Sequence, residues 1–280
     1  TPLIDEYPQL NSTNIIGKSK QNYPASDGLM IEAYLSIPEN LPAENRPAII
    51  VPHGGPMSRV YGGFDWFTEF FASRGYLVFE PNFRGSSGYG FKFEMASIEN
   101  WGGAMQTDLA DAATWLVEKH QVDKSRICII GASYGGYAAL MAAAKQQNIF
   151  KCAASFAGVS DLQYLVRKSQ NFTNHKVVEK QFGKNAETLE KNSPINFAKN
   201  IDIPVMLIHG ELDTIVPVQH SQNMFASLTE HNKKVEYIEL KNGNHHLSIE
   251  KNRLTTLNSI ANFLAKSSNG YDYLPYFLSG

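Results

Sequence analysis

Residues 126–137 read Arg126-Ile127-Cys128-Ile129-Ile130-Gly131-Ala132-Ser133-Tyr134-Gly135-Gly136-Tyr137, and an Ala-rich stretch follows at once over 138–144. An apolar run, then Gly-x-Ser-x-Gly, then small residues predicts a strand, a sharp turn and a helix in that order. A serine at the apex of such a turn has its hydroxyl thrust clear of the backbone. The small residues two before and two after it let strand and helix approach closely enough to hold the turn. Ser133 is therefore the candidate nucleophile. The alternative is an ordinary tight turn, against which the strand-before, helix-after context argues.

Outward from this turn the chain alternates between short apolar runs and longer amphipathic ones. Residues 15–37 alternate as extended structure around Ser26-Asp27-Gly28, which predicts a leading hairpin, and Pro38, Pro42 and Pro47 mark a connector. Strands follow at 48–52, 76–80, 126–130, 152–156, 205–210 and 235–240, and helices at 64–73, 103–119, 135–146, 218–230 and 250–265. This order predicts an α/β fold with a mostly parallel sheet covered on both faces, led by an antiparallel hairpin. The helix over 103–119 places Met105, Leu109, Ala112 and Leu116 on one face. The helix after Ser133 is apolar nearly all round, which predicts its burial in the middle of the fold.

The chain has 280 residues, 43% of them hydrophobic, enough for one large core. Its formal charge is −2, from 25 basic and 27 acidic residues with no long run of either sign. Neither a nucleic-acid partner nor an anionic membrane surface is implied. No apolar stretch approaches the roughly 20 residues of a membrane-spanning helix, and residues 1–20 lack the pattern of a signal peptide. A soluble chain is expected, with the cytoplasm slightly favoured over the periplasm or secretion. Because it begins at Thr1 rather than Met, it is expected to be processed or excised, and any export signal would have gone with the missing start. Cys128 and Cys152 read as small core residues in successive strands, and no disulfide is expected between them.

A nucleophilic serine needs a base, and the base needs an orienting acid; in a parallel sheet such groups sit on loops after the carboxyl ends of strands. The strand over 205–210 runs into Gly210-Glu211-Leu212-Asp213-Thr214-Ile215-Val216-Pro217, and that over 235–240 into Lys241-Asn242-Gly243-Asn244-His245-His246-Leu247. The order serine, acid, histidine is that of the α/β hydrolases. Asp213 is the candidate acid, with Glu211 its nearest rival and helix capping its ordinary alternative. Only one of His245 and His246 can serve as base, and spacing barely separates them. His53, His120, His175, His220 and His231 read as structural or solvated, and His209 as a satisfied core histidine. Pro52-His53-Gly54-Gly55-Pro56 ends the strand over 48–52, and its paired glycines expose NH groups suited to an oxyanion, with the Tyr134 NH as the second donor.

Together with Asn82-Phe83-Arg84-Gly85-Ser86-Ser87-Gly88-Tyr89-Gly90, these motifs resemble the catalytic domain of the prolyl oligopeptidase family of serine peptidases. The His-Gly-Gly-Pro form is most similar to its acylaminoacyl-peptidase branch. The resemblance covers about residues 20–265 and implies an α/β-hydrolase fold, a triad of Ser133, Asp213 and His245, and oxyanion donors at Gly55 and Tyr134. It also implies a β-propeller ahead of the hydrolase domain, to which Tyr7-Pro8-Gln9-Leu10 would be the exit segment. The expected organisation is a linker or propeller-exit segment over 1–20, a catalytic domain over 21–268 and an aromatic tail over 269–280.

The mechanism these residues imply is acyl transfer through an acyl-enzyme, with neither metal nor organic cofactor. Tyr134, Tyr137, Trp66 and Val216 are expected to line the substrate pocket and to suit an uncharged or aromatic acyl side. Arg84, between flexible glycines, is expected to anchor its loop to a carboxylate or to backbone carbonyls. A peptidase on short or N-blocked peptides and a carboxylesterase on small acyl esters use the same groups, and the resemblance favours peptides. A non-catalytic binding module on the same fold is the reading from a different class. Oligomeric state is not legible.

Overall fold

The computed structural model describes residues 15–38, 44–173 and 175–267. The aromatic tail over 269–280 lies outside them, as do residues 1–14 of the leading segment. The described residues open with an antiparallel hairpin, β1 (Ser19–Pro24) and β2 (Met30–Ser36), turning at Ser26–Gly28 as the sequence predicts. The alternation then runs β3 (Arg46–Ile50), α1 (Trp66–Ala72), β4 (Leu77–Pro81), α2 (Phe91–Met95), α3 (Ala104–His120), β5 (Val122–Ala132), α4 (Tyr134–Lys145) and β6 (Cys152–Phe156). After it come α5 (Leu162–Ser169), α6 (His175–Phe182), α7 (Ala186–Lys191), a 3-10 segment (Pro194–Asn200), β7 (Val205–Gly210), α8 (Gln219–Glu230), β8 (Val235–Leu240) and α9 (Glu250–Ser267).

Among the described residues, eight strands form one sheet in the order β1-β2-β4-β3-β5-β6-β7-β8. The β1–β2 and β2–β4 pairs are antiparallel and the other pairs parallel. The central strands are apolar on both faces because helices cover both. Ile127 and Ile129 of β5 join Leu109 of α3 and the apolar side chains of α4 in one core, while Ile130 of the same strand joins Phe71 of α1 and Phe263 of α9 in the other. Helix α4 is buried from Tyr134 to Ala144, as its all-round apolar sequence requires.

Two expectations are corrected. Cys128 and Cys152 are joined by a disulfide. Their strands pair in parallel with these two residues directly in register, which brings the Cα atoms to 4.8 Å on the same face of the sheet. That register is a tertiary fact invisible in the spacing of the two cysteines. Between β6 and β7 lie helices that the strand-and-helix alternation leaves out. They are short, and Asp161 caps α5 by accepting the Tyr164 NH at 2.8 Å while Asn185 caps α7 by accepting the Thr188 NH at 3.0 Å. No helix among the described residues is long and apolar enough to cross a membrane.

Candidate active site

Ser133 stands between β5 and α4 at φ 57° and ψ −118°, a conformation a residue with a side chain adopts only when its surroundings compel it. They do so from both sides. The Ser133 NH donates to the Phe156 carbonyl at the end of β6 (2.9 Å), and its carbonyl accepts the Tyr137 NH (3.0 Å). The flanking glycines are required by contact: a Cβ on Gly131 would lie 2.3 Å from the Gly135 carbonyl carbon, and one on Gly135 would lie 2.1 Å from the Pro52 carbonyl oxygen. The Tyr134 NH is the first of helix α4 and has no acceptor within the helix.

The turn after β3 rests on this elbow, with the Cβ position of Gly54 3.4 Å from the Ala132 carbonyl and 3.6 Å from Ser133 Cβ. Gly55 has φ 120°, a value suited to glycine, and is followed by the cis peptide to Pro56. His53 is part of the scaffold. Its Nδ1 donates to the Gly54 carbonyl (2.7 Å), its Nε2 lies 2.8 Å from Ser86 Oγ, and its ring stacks on Phe83 with centroids 4.4 Å apart. Burial pushes its pKa down to about 4, so the ring is neutral at ordinary pH. Arg84 meets a carboxylate, as expected: Nε and Nη2 grip the fully buried Asp108 and Nη1 reaches Asp27 at 2.7 Å.

The acid loop after β7 holds Asp213 from several directions. Its Oδ1 accepts the NH groups of Ile215 and Val216, both at 2.9 Å, and its Oδ2 accepts His245 Nδ1 at 2.7 Å. Asp213 is not a cap for α8, whose N-cap residue is Val218. Glu211 points elsewhere and takes the Asn242 NH at 2.9 Å. The fully buried His209 is more than a satisfied core residue. Its Nε2 donates to the Val216 carbonyl (2.8 Å) and lies 3.4 Å from Asp213 Oδ2, while its Nδ1 meets Ser221 Oγ at 2.7 Å. Burial alone would raise the Asp213 carboxyl, but the bonds from His209, His245 and the Val216 NH outweigh it and hold the group well below the usual carboxylate range.

His245 is mostly buried and bonded to Asp213, whereas His246 is exposed and meets the His245 ring edge-on at 5.5 Å. The acid and histidine loops touch through main chain: Leu212 NH donates to the Gly243 carbonyl at 2.8 Å, and a Cβ on Gly210 would lie 2.5 Å from that oxygen. A cavity of about 460 Å³ opens beside the elbow, lined among others by Trp66, His53, Gly54, Ala132 and His245. Tyr137 and Val216 are not in its wall. Tyr137 is fully buried with its hydroxyl donating to the Asn192 carbonyl (2.8 Å), and Val216 packs in the core with its NH on Asp213. Both follow motifs that carry the chemistry, but each turns inward. Tyr134 is likewise a core side chain that presents only its NH. Among the described residues no cluster of three or more His, Cys, Asp or Glu is arranged to hold a metal ion.

Residues 63–270 match the prolyl oligopeptidase family. The chain belongs to that family. It is 28% identical to dipeptidyl peptidase family member 6 of Caenorhabditis elegans, over 94% of its own length and 40% of that protein's. A puromycin-hydrolysing peptidase of Mycobacterium tuberculosis superposes with a TM-score of 0.88 at 26% identity, over 95% of this chain and 41% of the other. The acylaminoacyl peptidase of Pyrococcus horikoshii superposes with a TM-score of 0.82 at 28% identity, over 91% and 42% respectively. The fold is thus the α/β-hydrolase fold of this family, and the chain spans about two fifths of the length of these relatives.

Proposed function

We propose that this chain is a serine peptidase of the prolyl oligopeptidase family that acts on short or N-blocked peptides through an acyl-enzyme. The observation that carries this reading is the 2.7 Å bond from His245 Nδ1 to the ionised Asp213, on loops that flank the serine elbow. With Nδ1–H committed to Asp213, Nε2 of His245 is the ring atom left to accept a proton. His245 takes the Ser133 proton as the hydroxyl oxygen attacks the carbonyl carbon, and the imidazolium forms next to a carboxylate that is already charged. The NH groups of Gly55 and Tyr134 hold the oxyanion of the tetrahedral intermediate. His245 then gives its proton to the departing amine. Water releases the acyl group by the same steps in reverse role.

Reaction with a fluorophosphonate, followed by peptide mapping, tests the nucleophile: the label is expected on Ser133, and a label on another serine overturns the assignment. Aminoacyl anilides, acyl peptides and nitrophenyl esters assayed side by side test the substrate class. Turnover of esters with none of either peptide substrate would make the chain a carboxylesterase, and a folded protein inert to probe and substrates would make it a non-catalytic module.

A further inference from the structure

We propose that the 460 Å³ cavity receives the leaving-group side of the substrate and selects a large aromatic or apolar side chain there, with Trp66 as the determining residue. This rests on the proposed function above. The first argument is position. The cavity is walled by Gly131 and Ala132 ahead of the serine, by the His53–Gly54 turn and by His245, His246 and Leu247, and then runs under the start of α1. Between Ser133 and the histidine loop it takes a lining residue only from Phe156, so α4 and the helices after β6 do not border it. The proton taken from Ser133 must pass from His245 to the departing nitrogen or oxygen, so the departing group lies against His245. The cavity is the space on that side.

The second argument is chemistry. The charged groups in the wall are already engaged. At the floor Lys18 Nζ lies 2.7 Å from Glu80 Oε2, with the two side chains 4% and 5% exposed. Asp65 Oδ1 accepts the NH groups of Phe67 and Thr68 (2.9 and 3.0 Å) as the cap of α1. Arg59 pairs with Glu32 at 3.1 Å, and its guanidinium lies over the rings of Tyr61 and Tyr89. A charged leaving group would have to break one of these pairs, whereas an uncharged ring meets Trp66 without doing so. The volume suits one large side chain and part of the next residue.

The test uses the reverse of the departure step. An amino-acid amide attacks the acyl-enzyme: its nitrogen forms a bond to the acyl carbon, the bond from that carbon to Ser133 Oγ breaks, and His245 carries the proton from nitrogen to Oγ. The attacking amine must therefore occupy the leaving-group side. With one nitrophenyl ester as acyl donor, the ratio of amide product to acid is measured for added glycinamide, aspartamide, lysinamide and phenylalaninamide. Phenylalaninamide is expected to capture the acyl-enzyme at least about tenfold better than the other three. Trp66→Ala is expected to remove most of that preference while the ratio of amide to acid obtained with glycinamide, which puts no side chain in the cavity, stays within about twofold. Tyr61→Ala, at an exposed position (68%), is expected to reduce it by a smaller factor and serves if Trp66→Ala fails to fold. Normal ester turnover with equal capture of all four amides, or a preference untouched in both variants, overturns the assignment. Absence of ester turnover in the unaltered protein overturns the proposed function itself, and this inference with it.

Discussion

On the acid and histidine side of the site the chain is held by its own main chain, whereas on the side of residues 53–67 it is held by side chains from distant segments. Gly210 and Gly243 meet backbone on backbone, the Leu212 NH meets the Gly243 carbonyl, and Asp213 closes its turn on the NH groups two and three residues on. Across the site, Val60 exchanges two hydrogen bonds with the Asn82 side chain, and Arg59 is fixed by Glu32 of β2 and by Tyr89. Glu32 also takes Lys20 of β1 and the Tyr89 hydroxyl. One side is thus joined main chain to main chain at the ends of the neighbouring strands β7 and β8, and the other by a charge network that exists only once the hairpin has joined the sheet. Main-chain contacts between adjacent strand ends suit groups whose relative placement must be fixed to a fraction of an ångström, as proton transfer demands.

The largest expected effect lies on the side held by main chain. Ser133→Ala and His245→Ala are each expected to lower kcat/KM on one ester substrate by about 10⁴–10⁶-fold in folded protein, because members of the proposed triad would act as a unit. His246→Ala, whose ring lies beside His245 without touching Asp213, is expected to cost less than about tenfold. An active His245→Ala beside an inactive His246→Ala would break both the proposed function and the comparison, since the bond to Asp213 would then be idle.

Next comes the networked side. Arg84→Ala leaves the fully buried Asp108 without its two-pronged partner, and removing one member of a buried ion pair costs about 3–5 kcal/mol. Denaturant unfolding is expected to show a loss of that order, with kcat on a small ester within a fewfold of the parent. An unchanged unfolding midpoint with a collapsed kcat would mean that Arg84 serves the chemistry rather than the frame. A smaller loss is expected where the two sides meet. Gly135→Ala places a methyl group 2.1 Å from the Pro52 carbonyl, so the turn after β3, the proposed oxyanion turn, must shift against the elbow. A displacement approaching 1 Å is worth about 100-fold in kcat/KM, and a normal rate in this variant would show the turn to be slack.

The same division explains what could be read from the sequence. The elbow, the acid turn and the histidine turn are each written in under ten consecutive residues. Their strands end where the apolar runs end, so Ser133 and Asp213 stand out as candidates without the fold, whereas His245 is set above His246 by the family resemblance alone. His209 is legible as a core residue but not as a neighbour of the Asp213 carboxylate, because nothing in a strand pattern says which way a polar side chain on it will face. Tyr137 and Val216 turn away from the cavity for the same reason: adjacency to a motif does not give orientation. The disulfide escapes such a reading because Cys128 and Cys152 meet through strand register, and the Glu32–Arg59–Tyr89 cluster because its members are 27 to 57 residues apart.

The smallest expected effect is one of sign. His220, at the start of α8 and close to Asp213 and His209, is buried, and burial pushes its pKa down from 6.5 to about 3. Between those values the unfolded chain binds a proton that the folded chain does not, so this group makes stability fall as pH drops from about 6.5 toward 3. His53 adds in the same direction. Glu80, across the site beneath the 53–67 segment, does the opposite. Burial raises its carboxyl from 4.5 to about 7 against the pull of Lys18, with Asp65 adding to the rise and Thr68 opposing it. The folded chain therefore holds the extra proton between 4.5 and 7, and this group makes stability fall as pH rises through that window. Unfolding free energies measured by denaturant between about pH 4.5 and 6.5 are expected to have a less positive pH slope in His220→Gln than in the parent, and a more positive one in Glu80→Gln. The slope is the diagnostic quantity, because each substitution also shifts the level of the whole curve through lost packing or, for Glu80, an unpaired Lys18. Slopes that move together in the two variants would show that both titrations report one global event, and the two sides would then not be separately held.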